Sequence, residues 1–109
     1  MALRVRVCRV DEAVAGELRG FPVPGASWPV MVTRVDDVIV ATSSVCPHED
    51  VSLLDGDLDA GVVTCPGHAY QLDLVTGRCR HDASLRLRRY PVAIVDDEVW
   101  IDLIGDAGR

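Results

Sequence analysis

With 109 residues the chain has room for one domain, and its 49% hydrophobic content is that of a globular protein rather than a disordered one. Seventeen acidic side chains against eleven basic ones leave a net charge of -6 and a pI near 4.8, which speaks against nucleic acid and membrane as partners. No apolar run is long enough to span a bilayer, and Arg4 and Arg6 interrupt any signal-peptide core, so the cytoplasm is the expected compartment. In that reducing setting four cysteines predict metal binding or catalysis rather than a disulfide framework.

In chain order, Leu3-Arg4-Val5-Arg6-Val7 alternates with period two, the pattern of a half-buried strand, and Cys8 extends it as an ordinary strand thiol. Asp11 to Ala15, closed by Gly16, is predicted as one helical turn with Asp11 as its N-cap. Gly20 to Pro29 holds three prolines and two glycines and reads as a loop. Two β-branched runs, Val30 to Arg34 and Val38 to Ala41, flank Asp36-Asp37. A second such pair, Val92 to Val95 and Val99 to Asp102, flanks Asp96-Asp97. Both Asp pairs suit tight hairpins. Shorter strand-like runs are Val62-Val63-Thr64 and Tyr70-Gln71-Leu72, and Leu85 and Leu87 are expected to face inward with Arg86 and Arg88 outward and solvated. Trp28 and Trp100 are read as packing residues. Many short strands and almost no helix predict an all-β, antiparallel sandwich or small barrel, a single domain over residues 1–109. About residues 43–85 the apolar rhythm fails and Gly, Asp, Cys and His collect, so this insertion is where the chemistry is expected.

Within it stand Cys46-Pro47-His48 and, after sixteen residues, Cys65-Pro66-Gly67-His68. Each tight loop offers one thiolate and one imidazole to a common centre. Pro47 and Pro66 stiffen the backbone after each cysteine, and Gly67 removes a side chain where the backbone comes close. Such borderline donors suit an iron-sulfur cluster or a structural zinc, and both stay open on spacing alone. Cys79-Arg80-His81 repeats the Cys-x-His spacing without a partner pair and is read as loop.

The two Cys-His pairs, together with Glu49-Asp50, Ser52-Leu53-Leu54-Asp55-Gly56, Gly61 to Cys65, Thr76-Gly77 and the closing Tyr90-Pro91-Val92 to Trp100-Ile101 hairpin, resemble the small Rieske [2Fe-2S] ferredoxins of bacterial multicomponent oxygenases, including those of toluene monooxygenases. The resemblance implies the Rieske fold, with an inserted two-loop cluster-binding subdomain. It also implies that Cys46 and Cys65 hold one iron and His48 and His68 the other. The implied role is an electron carrier, not an enzyme, taking one electron from an NAD(P)H-dependent flavoprotein reductase and passing it to a terminal oxygenase, either a monooxygenase or a ring-hydroxylating dioxygenase. Alternatives are the small Rieske subunit of a nitrite reductase and a non-redox, zinc-stabilised interaction module.

High-potential Rieske proteins carry an extra cysteine on each cluster loop and hydroxyl donors after the second. Here the matching positions are Val51 and Gly67, then Tyr70 and Leu72, so a low potential of about -150 mV is expected. Where many relatives carry a proline-containing covering loop, this chain has His81-Asp82-Ala83-Ser84. Glu49, Asp50, Asp55, Asp57 and Asp59, with no base among them, are read either as an acidic collar that steers docking or as solvated turn residues.

Overall fold

Residues 3–107 are described by the structure, a computed structural model. Ten short strands and two 3-10 turns follow one another, with no α-helix among the described residues: β1 Arg4–Arg9, β2 Arg19–Phe21, β3 Val30–Val35, β4 Val38–Ser43, β5 Asp57–Asp59, β6 Val62–Thr64, β7 Gln71–Asp73, β8 Arg89–Tyr90, β9 Val92–Val95 and β10 Glu98–Asp102. They form three antiparallel sheets, ordered β1-β10-β9, β2-β3-β4-β8 and β5-β6-β7.

The four-stranded sheet lies in the middle because β3 is apolar on both faces. Val30 and Val32, with Ala41 of β4, pack into one core with Val7, Cys8, Val99 and Ile101. Met31 and Val40 face the other way, into a second core with Leu53, Val63, Leu72, Leu74 and Leu87. A strand's period of two thus sorts neighbouring residues of one run into two different cores.

Three hairpins close with two-residue turns: Asp36-Asp37 between Val35 and Val38, Ala60-Gly61 between Asp59 and Val62, and Asp96-Asp97 between Val95 and Glu98. Both residues of each turn have positive φ, the geometry whose twist matches that of the flanking strands. Aspartate tolerates this conformation, which explains the two Asp pairs.

Four expectations need correction. Strand β2 takes Gly20 and Phe21 out of the predicted loop, because Arg19–Phe21 pairs with Val30 to Val32. The turn near Asp11 runs over Val10–Glu12, and its first orphan amide, on Arg9, is capped by the Glu12 carboxylate (2.8 Å) rather than by Asp11. Strand β5 went unforeseen because its Asp-Leu-Asp reads as turn material, yet Leu58 is half-buried between two exposed acids. Trp28 does not pack in a core but lies exposed at the end of the proline-rich loop.

Candidate metal centre

Strands β5, β6 and β7 carry the site. One ligand loop precedes β5 and the other joins β6 to β7, and both close the same way. The Cys46 amide donates to the Val51 carbonyl (3.0 Å), and the Cys65 amide donates to the Tyr70 carbonyl (2.8 Å). A further amide of each loop, on Glu49 and on Ala69, donates back to the carbonyl of its cysteine. Each loop is therefore held by its own backbone. Ala69 is left at a φ of 61°, a left-handed conformation that favours glycine, directly beside His68.

The four residues singled out by spacing come together as two pairs, cysteine with cysteine and histidine with histidine. Cys46 and Cys65 are buried in the second core, close enough for their thiols to interact, while His48 and His68 lie on the solvent side with ring centroids 5.0 Å apart and nearly perpendicular. Burial pushes the Cys46 thiol up, and the amides of His48 and Glu49 pull it back by donating to the sulfur. The Gly67 amide donates to Cys65 Sγ at 3.4 Å. Amides aimed at sulfur favour a thiolate and so favour a bound metal. Two thiolates on the inner side, two imidazoles on the outer and N–H donors to the sulfurs fit the asymmetric donor set of a Rieske cluster.

The surrounding residues were less legible. Tyr70 stacks its ring on His48, with centroids 4.1 Å apart and 24° between planes. The His81 ring stands 5.6 Å beyond Tyr70. Cys79 is not a loop residue: it is buried in the second core and pairs with Leu72 across an isolated bridge. The covering loop lacks proline but is held by Asp82, whose Oδ1 accepts from the amide (2.9 Å) and the hydroxyl (2.6 Å) of Ser84. Those bonds hold the Asp82 carboxyl below its ordinary range. Leu87 is buried and Arg88 exposed as expected. Arg88, however, is anchored rather than merely solvated, donating to the Leu103 and Gly105 carbonyls and lying over the Tyr90 ring. Of the five acids, Asp50, Asp55, Asp57 and Asp59 are exposed; Glu49 is not, and it turns in against the imidazoles.

An all-β frame presenting two thiols and two imidazoles on paired loops is that of a small metal-binding domain. The Rieske [2Fe-2S] domain family covers residues 4–91, and the chain belongs to it. The ferredoxin component of the alkene monooxygenase system of Xanthobacter autotrophicus is 31% identical over 98 residues, spanning 89% of this chain and 79% of that protein. A ferredoxin of Sphingomonas yanoikuyae B1 superposes with a TM-score of 0.83 at 29% identity, covering 92% of this chain and 98% of the other. The ferredoxin in a complex of reduced oxygenase and oxidized ferredoxin of carbazole 1,9a-dioxygenase superposes with a TM-score of 0.80 at 29% identity, covering 94% of both chains. The cofactor is a Rieske [2Fe-2S] cluster, which replaces the zinc reading, and the chain is an electron-carrying component rather than a catalyst.

Proposed function

We propose that residues 1–109 act as one cytoplasmic module that carries single electrons from an NAD(P)H-dependent flavoprotein reductase to a terminal oxygenase. In this reading Cys46 and Cys65 hold one iron of the cluster and His48 and His68 hold the other. The observation that carries it is the pairing of two buried thiols with two surface imidazoles on matched loops. The bound cluster supplies one-electron storage without bond-making chemistry.

The chain's residues insulate one side and open the other. The second core seals the cysteines from water, and Tyr70 backs the ring of His48. The His68 side chain is 62% exposed against 30% for His48, so His68 offers the closer approach to a docked partner. The acids Asp50, Asp55, Asp57 and Asp59 stand exposed near these loops and would guide basic partner surfaces, an effect that falls as salt rises.

Anaerobic purification tests the reading. The expected product is red-brown, holds two irons and two acid-labile sulfides per chain, gives a Rieske electron paramagnetic resonance signal on reduction, and has a midpoint of about -150 mV. A colourless, zinc-loaded protein would overturn it.

A further inference from the structure

Charge is divided across the sheet that carries the site. Strand β5, with Asp57 and Asp59 exposed, forms one edge. Beyond β7 the ladder continues through two isolated bridges, Leu72 with Cys79 and Arg78 with Arg86, and this edge is basic. Residues 78–89 hold five arginines and one acid, Asp82, whose carboxylate is taken up by Ser84. Arg78 and Arg86 stand directly opposite each other in an antiparallel bridge, which sets their Cβ atoms about 5 Å apart on one face. Like charges so opposed are destabilising. Among the described residues no carboxylate pairs with the Arg78 guanidinium. Both arginines line an open cavity of about 520 Å³, whose other walls are Cys79, Ala83, Ser84 and Leu85. Its frame is held by backbone: the Leu87 amide donates to the Gly77 carbonyl (2.8 Å) and the Leu85 amide to the Asp82 carbonyl (3.1 Å).

We propose that this cavity is a docking site for an acidic segment of a partner protein, with Arg78 and Arg86 as the paired guanidiniums that receive its carboxylates. A carboxylate seated between them replaces a repulsion with charge-assisted hydrogen bonds, for which the planar guanidinium fork is suited. Ala83 and Leu85 offer apolar wall to the methylenes of an acidic side chain, and Ser84 offers a hydroxyl. A protein segment fits better than a free anion because the exposed Arg80 carries the positive charge on past the cavity. The chain as a whole, at -6, repels acidic bodies, so attraction is confined to this edge. The site deepens the electron-carrier reading and rests on it for its purpose. A shuttle meets two proteins, and the β5 edge and the arginine edge offer them surfaces of opposite sign.

The test is fluorescence anisotropy of a labelled oligoglutamate peptide titrated with the cluster-loaded chain at low salt. Variants are Arg78→Gln, Arg86→Gln, Ala83→Glu and, on the distant strand β1, the exposed Arg4→Gln. Wild type is expected to bind saturably despite its net negative charge. Arg78→Gln and Arg86→Gln are each expected to weaken binding about tenfold. Ala83→Glu, which puts a carboxylate on the cavity wall, is expected to weaken it at least as much, and Arg4→Gln to leave it unchanged. Absence of saturable binding overturns the proposal, as does a loss in Arg4→Gln equal to that in Arg78→Gln. Inorganic phosphate that displaces the peptide at matched concentration shows a small-anion site and overturns the docking surface. The peptide titration reports on the cavity alone, whereas a wild-type chain that takes up neither iron nor sulfide overturns the electron-carrier reading.

Discussion

The two faces of the central β2-β3-β4-β8 sheet support cores of different make. On one side β1, β9 and β10, tied to one another by antiparallel ladders, close over Val7, Val30, Val32, Val99 and Ile101. On the other, three strands of three residues each cover Leu53, Val63, Leu72 and Leu74, and that core also contains Cys46, Cys65 and Cys79. The first core contains none of the proposed ligands. The second shares its interior with two of the proposed ligands, so its folding free energy and its cofactor affinity are the same quantity in part. The loop region also depends on tight backbone closures at Cys46–Val51 and Cys65–Tyr70.

Removing the cluster is the sharpest way to break that symmetry. Chelation of iron from the loaded protein is expected to abolish visible absorbance. It is also expected to raise amide exchange by several orders of magnitude over residues 44–56 and 65–70, while β3 and β4 stay protected; uniform loss of protection would contradict the division. Next come paired core truncations. Leu72→Ala and Ile101→Ala each remove a fully buried side chain and are expected to cost about 2–5 kcal/mol in denaturant titrations. Only Leu72→Ala should also speed loss of iron, and equal release rates would show the two cores to be one unit.

A third expectation concerns pH. Burial, reinforced by Glu12, pushes the Cys8 thiol up to about 11 from an ordinary 9.0. The folded chain therefore keeps this proton where the unfolded chain loses it. Stability is at its full value below pH 9 and falls as pH rises from 9 towards 11, by about 1.4 kcal/mol per pH unit at most. Cys8→Ala should flatten that fall in urea midpoints measured across the window, and an unchanged slope would remove the assignment. The smallest effects lie in the turns. A left-handed alanine costs about 1–2 kcal/mol, and glycine returns about 0.5–1 of that through the unfolded chain. Ala69→Gly is thus expected to stabilise by about 0.5 kcal/mol, and Asp97→Gly by less because Asp tolerates the conformation. A thermal midpoint lowered by Ala69→Gly would count against the strain at the ligand loop.

Much of the frame was legible along the chain because its residues carry their own instructions. Val30 to Val35 and Val38 to Ser43 are runs rich in β-branched residues, Asp36-Asp37 accepts positive φ, and the Asp96-Asp97 hairpin repeats the device. The candidate ligands could be picked out along the chain as well, since Cys-x-His and Cys-x-x-His need only local geometry to gather two donors each. What local pattern hid was anything decided by pairing: β2 inside a proline-rich loop, β5 inside an acidic stretch, and Cys79 as core rather than loop.

Residue type and spacing along the chain determined the β class, the turns, the four candidate ligands and the Rieske kinship. Only packing in three dimensions decided which side of β3 each valine serves, that Tyr70 backs His48, that His68 is the more open imidazole, and that Arg78 comes to face Arg86. The division has a physical cause. Backbone propensity and ligand spacing act over a few neighbouring residues, whereas burial and charge placement depend on groups such as Tyr70 and His48, separated along the chain and joined only when the loops close.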